Sequence, residues 1–246
     1  MPLLVRTWNV FHGNAVPPER RAYLEEMVRL AASDAPDLLC LQEVPVWALA
    51  QLGEWSGMTV IGAVAARPRV VSAELGRLIT ELDHGLLRSA LTGQANAILV
   101  APHLRVLEQR TLVLNPRRLR RAVWERRVCQ AVRIDGVGVA GNFHATSAPA
   151  DDHIAAGQLL RAAAFVDALA FPGEPVILCG DANICPGHGS SYDELRSWGY
   201  SKPAPGIDQI LVRGLPATAP FIWPDERRRV DGRLLSDHAP VELHLG

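Results

Sequence analysis

Lysine is nearly absent from this 246-residue chain: of 25 basic residues only Lys202 is one. Arginine offers bidentate phosphate contacts, yet so uniform a bias reads as genome base composition and defines no ligand. Net charge is also missing. At −1 it excludes a general attraction to polyanions and leaves any nucleic-acid affinity to a local patch. The four cysteines form no CxxC or Cys/His spacing, which argues against a zinc site and a disulfide framework. Cys40, Cys129 and Cys179 lie in apolar runs as small buried hydrophobes, and Cys185 lies in a loop. No run approaches the roughly 18 apolar residues of a membrane span. Met1-Pro2-Leu3-Leu4-Val5-Arg6 lacks the basic region and cleavage site of a secretory leader. A cytoplasmic protein without membrane association is the expectation. No Gly/Ser linker, repeat or low-complexity stretch divides the chain, so residues 1–246 are expected to form one domain.

Apolar residues, at 48%, suffice for a large core. Runs rich in Val, Ile and Leu predict strands near 3–10, 37–42, 96–101, 128–134, 137–143, 175–179, 208–213 and 240–245. Helices are expected from Pro17-Pro18 through Ala32, from Val46 to Trp55, and after Asp151-Asp152, where Leu159, Ala163, Val166 and Ala170 recur at helical spacing. Alternating strands and helices suggest a parallel sheet. Against that, Asp135-Gly136 between two strand runs is a hairpin signal and makes that pair antiparallel. A mixed α/β protein follows. Residues 65–93 read as a helical insertion, with short helices at Ala73–Leu82 and Leu86–Leu91.

Six polar clusters end apolar runs: Trp8-Asn9, Gln42-Glu43, Asn142-Phe143-His144, Gly180-Asp181-Ala182-Asn183, Ile207-Asp208-Gln209 and Ser236-Asp237-His238. Polar groups at strand ends cost desolvation energy unless they are paired or bound to a cation. So many, rich in oxygen donors, read as one site built from several strand tips. Carboxylate and amide oxygens suit Mg²⁺ or Mn²⁺. His144 and His238 can move protons near neutral pH or donate to an anionic oxygen. Metal, acid or base, and anion stabilisers together suit cleavage of a phosphodiester.

These residues resemble the endonuclease/exonuclease/phosphatase superfamily. Thr7-Trp8-Asn9-Val10, Leu41-Gln42-Glu43, Gly180-Asp181-Ala182-Asn183 and Ser236-Asp237-His238-Ala239-Pro240-Val241 match its motifs in order. Asn96-Ala97-Ile98-Leu99 and Gly206-Ile207-Asp208-Gln209-Ile210-Leu211 match two weaker ones. The resemblance implies two mixed β-sheets packed as a sandwich with flanking helices, in four αββα layers, with the site at one rim. It implies Glu43 as principal metal ligand, with Asn9 and Asp237 completing or supporting the metal environment. Asp181 would orient or deprotonate water, Asn183 would bind the scissile phosphate, and His238 would stabilise negative charge with Asp208 as its partner. The base is either Asp181 or the Asp208–His238 pair. His144 matches a second histidine, an acid for the leaving oxygen.

Departures bear on substrate. Val10-Phe11-His12-Gly13 follows Asn9 where some of these nucleases carry an aspartate two residues on, and Gln209 replaces the common aromatic. The stretch His144-Ala145-Thr146-Ser147-Ala148-Pro149 resembles the deoxyribonuclease branch, so nucleic acid, as substrate of a DNA endonuclease, is the expected partner. Lipid headgroups, sugar phosphates and nucleotides are the alternative substrates. A non-catalytic binding protein would have lost Glu43, Asp181 or His238, and all three are present. Asn96 and Arg127 are candidate phosphate contacts. Arg117, Arg118, Arg120, Arg121, Arg126, Arg127 and Arg133, with Trp124 among them, form a candidate polyanion patch. His12, His84, His103, His153, His188 and His244 lack motif support and read as surface or packing residues. Nothing calls for an obligate protein partner.

Overall fold

The computed structural model describes residues 2–69, 72–82, 91–115, 126–147 and 152–246. Strands there are β1 (Leu3–Asn9), β2 (Ala15–Val16), β3 (Leu38–Val44), β4 (Thr59–Ala66), β5 (Gln94–Val100), β6 (Val106–Val113) and β7 (Val128–Ile134). They continue with β8 (Gly138–His144), β9 (Val176–Asp181), β10 (Asp208–Arg213), β11 (Phe221–Ile222), β12 (Arg229–Val230), β13 (Arg233–Leu235) and β14 (Val241–Leu245). The α-helices are α1 (Leu24–Ala32), α2 (Leu52–Ser56), α3 (Ala73–Leu82), α4 (Asp152–Asp167) and α5 (Ser191–Ser197).

One sheet runs β11-β14-β1-β3-β5-β4 and the other β10-β9-β8-β7-β6, with a small β12-β13-β2 sheet beside them. Each large sheet holds one parallel pair among antiparallel neighbours: β1 with β3, and β8 with β9. A parallel pair needs a crossover, and α1 and α4 lie in those two connections. β7 and β8 form the expected antiparallel hairpin, Cys129 opposite Phe143.

The period-2 alternation of each strand sorts its side chains into layers. In β3, Leu38 and Cys40 enter the core between the sheets, while Leu39 and Leu41 pack outward beneath α1 and α2. Val139, Phe143, Val176 and Leu178 pack the other sheet against α4 and α5. The result is the αββα sandwich. All four cysteines are free thiols, three of them buried. No described helix is long and apolar enough to cross a membrane.

Several elements differ from the sequence expectation. β4 and β6 are edge strands that apolar runs did not reveal. β6 carries Glu108, Gln109 and Arg110 on a largely exposed surface, the polar edge that discourages sheet-to-sheet association. The first helix starts at Leu24, not Pro17, because a residue preceding proline disfavours the helical region and the Tyr23 N–H is committed to the Gly13 carbonyl. Val46–Trp55 is broken into a 3-10 turn, Val46–Ala48, and α2. α3 has the expected bounds; most of the second insertion helix lies outside the described residues.

A buried cation ties strand to helix at the far side of β1. Arg6, fully buried, forks onto Asp34 at 2.7 and 2.8 Å, bonds Glu242 at 2.8 Å through Nε and donates to the Ala31 carbonyl. Its guanidinium lies 4.5 Å from the Trp223 ring. Glu242 keeps Trp223 Nε1 at 2.8 Å and Arg227 at 3.0 Å if Arg6 is lost. Arg6→Ala should therefore cost about 3 kcal/mol, the low end for a broken buried pair, measured by urea unfolding. The hydrogen bond from Arg6 holds Asp34 below the usual carboxylate range. Burial alone would raise Glu242, but the Trp223 and Arg6 bonds win and hold it low. Both carboxylates add stability above their unfolded values and lose it as pH falls through the lowered folded values. The wild-type melting temperature should drop below about pH 4, and this drop should be smaller in Arg6→Ala, which loses the main bond holding Asp34 low but leaves Glu242 its Trp223 and Arg227 partners.

Candidate active site

The two parallel pairs bring their C-terminal ends to one rim. β1 ends at Asn9, β3 carries Gln42 and Glu43, β8 ends at His144 and β9 at Asp181. Asp208 opens β10 directly opposite Asp181, and His144 pairs in register with Asp181. Beneath them Asn142 joins the sheets: it accepts from Gln42 Nε2 at 2.7 Å and donates to the Leu41 and Ala97 carbonyls at 2.9 Å each.

The chain is strained where it delivers these groups. Of seven described non-glycine residues with positive φ, five are Phe11, His12, Glu43, Asn183 and Ser236. Such outliers concentrate where surrounding structure enforces a functional geometry. Gly180 has φ 146°, and a Cβ there would lie 2.0 Å from the Phe143 carbonyl oxygen. Only glycine lets β9 approach β8 closely enough to set Asp181 beside His144.

Asn9 organises the carboxylates. Its Nδ2 donates to Asp181 Oδ2 at 2.9 Å and Glu43 Oε1 at 3.2 Å, while its Oδ1 accepts from the Phe11 N–H at 3.0 Å. Asp208 Oδ2 accepts from His238 Nδ1 at 2.8 Å, leaving His238 Nε2 3.8 Å from Asp181 Oδ2. His144 Nε2 lies 3.6 Å from Asp181 Oδ2 and 3.8 Å from Glu43 Oε1. Arg127 Nη1 lies 3.1 Å from both ring nitrogens of His144, and Gln94 Nε2 is 3.2 Å from Nδ1. Asn183 donates its backbone N–H to Asp181 Oδ1 at 2.9 Å and its Nδ2 to the Ala145 carbonyl at 3.0 Å. Ser236 Oγ bonds the Asn9 carbonyl at 2.7 Å, which anchors the loop bearing His238.

Burial, then the charge of Asp208, raises Asp181 to about 7, and burial raises Glu43 as well. His238 runs the other way. Burial would lower it, but the hydrogen bond and charge of Asp208 lift it to about 10, so it is an imidazolium at neutral pH. Burial, then the charge of Arg127, pushes His144 well below the usual imidazole range.

Crowded carboxylates held above their ordinary values need positive charge, and a hard divalent cation fits this oxygen-rich donor set. Asp208 Oδ1 is buried without a hydrogen-bond partner, a further sign that the acidic cluster is not fully compensated. Glu43 is one place for such an ion. The ligand atoms of Asp181, Asp208 and His238 also lie within 4.8 Å of one another, but a protonated His238 has no lone pair to offer a cation.

Of the expected residues, Asn9, Glu43, His144, Asp181, Asn183, Asp208, His238 and Arg127 are brought together. Asp237 is exposed at the rim, 3.9 Å from His238 Nε2. Asn96 is buried between the sheets with Nδ2 on the Val128 carbonyl at 3.1 Å, and no contact joins it to the cluster among the described residues. Arg133 leaves the basic patch: its guanidinium stacks 3.6 Å from the Phe171 ring beside Glu174. Arg117, Arg118, Arg120, Arg121 and Trp124 lie outside the described residues. Three residues were missed. Gln94 holds His144, Arg228 grips the loop carrying His238, and His12 lies buried with Nε2 3.4 Å from Glu43 Oε2. The one local signal for His12 was Gly13, a turn glycine right after a strand end.

Fold and rim together describe an αββα protein with an acidic, imidazole-bearing centre. Residues 7–238 match the endonuclease/exonuclease/phosphatase family, and the chain belongs to it. Among solved structures it is similar to the mannosyl-6-phosphatase of Bacteroides thetaiotaomicron, at 17% identity and a TM-score of 0.69, covering 99% of each chain. It is similar to the catalytic domain of human Nocturnin with bound sulfate, at 16% identity and a TM-score of 0.70, covering 100% of this chain and 93% of that one. It also resembles TDP2 from Caenorhabditis elegans, at 15% identity and a TM-score of 0.65, covering 100% and 74%. At these identities the likeness concerns the fold. No curated protein matches the sequence.

Proposed function

We propose that this protein is a divalent-metal-dependent phosphoesterase that cleaves phosphodiester bonds in DNA by in-line attack of water. The convergence of Glu43, Asp181, Asp208, His144 and His238 at one rim, with contacts of 2.8 to 3.8 Å, carries the reading. Mg²⁺ or Mn²⁺ held by Glu43 would supply Lewis-acid charge at the phosphate. Asp181 takes the proton of the attacking water: raised to about 7, it is a stronger base than an ordinary carboxylate. His238 is already protonated by virtue of Asp208, so it stabilises charge on the phosphate instead of accepting a proton. Asn9 aims the carboxylates of Glu43 and Asp181. Asn183 is held by Asp181 and Ala145 at the phosphate's edge, and neutral His144, backed by Arg127, offers hydrogen bonding to the leaving side.

The deoxyribonuclease-like stretch from His144 supports DNA as substrate. A second reading is hydrolysis of a sugar phosphomonoester. It is supported by the likeness to the Bacteroides phosphatase and by Arg127, whose charge beside His144 suits a doubly charged phosphate. The test is supercoiled plasmid with Mg²⁺, Mn²⁺ or EDTA, run beside phosphate release from hexose 6-phosphates. Metal-dependent nicking is expected. Phosphate release without nicking would move the substrate to monoesters, and neither activity would refute the hydrolase reading.

A further inference from the structure

The residues after Asn9 fold against the usual preferences of the backbone. Phe11, His12 and Gly13 have φ of 46°, 54° and 85° in succession, three left-handed residues in a row. Each non-glycine residue held this way costs on the order of 1 kcal/mol or more. The turn is fastened on every side. Phe11 N–H bonds Asn9 Oδ1, Gly13 N–H bonds the Val10 carbonyl at 2.7 Å, and Tyr23 N–H bonds the Gly13 carbonyl at 2.8 Å. A Cβ at Gly13 would meet the Leu24 Cβ at 2.9 Å, so the turn is wedged against α1. Its outcome is to swing His12 inward, buried, with Nε2 facing Glu43.

The two oxygens of Glu43 are not equivalent. Oε1 faces amide and imidazole groups of Asn9 and His144. Oε2 faces His12 Nε2 at 3.4 Å, longer than the usual N–H···O hydrogen bond of about 2.7–3.2 Å. Neighbouring ligands of an octahedral ion about 2.1 Å from each lie about 3.0 Å apart, so the two atoms need to close by only a few tenths of an ångström to share one. The pair is spaced nearly as two neighbouring ligands are.

Resting on the reading of Glu43 as a metal-holding carboxylate, we propose that His12 is a second protein ligand at that site and biases it toward Mn²⁺ over Mg²⁺. Mg²⁺ demands oxygen donors and gives up water reluctantly. Mn²⁺ is the weakest nitrogen binder of the first-row transition ions, yet as one of them it takes an imidazole nitrogen more readily than the strongly hydrated Mg²⁺ does. One nitrogen beside one carboxylate therefore separates two ions that an all-oxygen site would bind more evenly.

The experiment is calorimetric titration of Mn²⁺ and of Mg²⁺ into the full-length wild type, His12→Ala and His12→Asn, with electron spin echo modulation of bound Mn²⁺. Asparagine tolerates the left-handed backbone, so His12→Asn gives a folded variant if alanine disturbs the turn; a thermal melt checks both. The wild type should bind Mn²⁺ at least tenfold more tightly than Mg²⁺. In either variant that preference should shrink to threefold or less, mainly through weaker Mn²⁺ binding. The ¹⁴N modulation of bound Mn²⁺ should vanish in the His12 variants and persist in His144→Ala. Unchanged Mn²⁺ and Mg²⁺ binding, an equal loss of both, or ¹⁴N modulation that follows His144 would overturn the assignment. Plasmid nicking by the wild type alongside such a result would leave the phosphoesterase reading standing and remove only His12. A wild type that binds neither ion would remove both.

Discussion

Alanine at Glu43 or at His238 should lower turnover by about 10²–10³-fold, the scale of losing one group aimed at transition-state charge. The two losses have different origins. Glu43 accepts from Asn9 Nδ2 at 3.2 Å and faces His12 and His144, so its removal takes away the carboxylate around which three polar side chains are arranged. A metal held there would be lost with it. His238 owes its charge to Asp208, whose hydrogen bond overcomes burial and lifts it to about 10. Its removal strips the imidazolium from the reacting centre and leaves Asp208 without its 2.8 Å partner. Steady-state kinetics of supercoiled-plasmid nicking should show the drop in kcat for both, with circular dichroism matching the wild type. In Glu43→Ala, metal affinity should fall as well; in His238→Ala it should be nearly kept. Near-normal turnover in both folded variants would refute the site assignment.

What the sequence disclosed follows from where its information is local. In the two large sheets every interior strand was visible: β1, β3, β5, β7, β8 and β9 carry near-continuous apolar runs, and β14 alternates, whereas the short central β13 of the small sheet was not. β4 and β6 were not, because edge strands carry polar or small residues that blur the pattern. The candidate site was legible at Glu43, Asp181 and His238, each fixed next to a strand whose end is itself predictable. It was less legible where a role depends on a partner distant in sequence. His12 looked like one more unsupported histidine until the left-handed turn brought it to a carboxylate 31 positions away. Asn96 matched a motif, yet strand pairing turns it toward the Val128 carbonyl, while Gln94, two residues earlier, is the one that reaches His144.

Arg228 shows the same dependence on the third dimension, and its replacement should have the largest combined effect on fold and activity. In sequence it is the middle residue of Arg227-Arg228-Arg229, with no motif to single it out. In the fold it is buried at the end of a 3-10 turn, Asp225–Arg228. Its Nη1 donates to the carbonyls of Leu235, Ser236 and His238 at 2.9, 2.8 and 3.2 Å, and its Nη2 bonds Asp225 at 2.8 Å. One guanidinium thus holds both ends of the turn from Leu235 to His238, including Ser236 at φ 61°. Trp8 Nε1 adds a second bond to the His238 carbonyl at 2.9 Å. Arg228→Met keeps much of the volume but takes this donor from the buried Leu235 and Ser236 carbonyls, at about 1–3 kcal/mol each, while the His238 carbonyl keeps Trp8. A loss of about 3–5 kcal/mol is expected, in line with removing one partner of a buried charged network. Urea unfolding gives that number. In protein that stays folded at low temperature, kcat should fall at least tenfold with KM changed less, because His238 loses its placement and Glu43 does not. Arg228→Lys should recover part of the stability and part of kcat, since an ammonium still donates to carbonyls though it lacks the planar fork. A stability loss with kcat intact would make Arg228 a packing residue only, and the His238 loop would then be held by Trp8 and Ser236 alone.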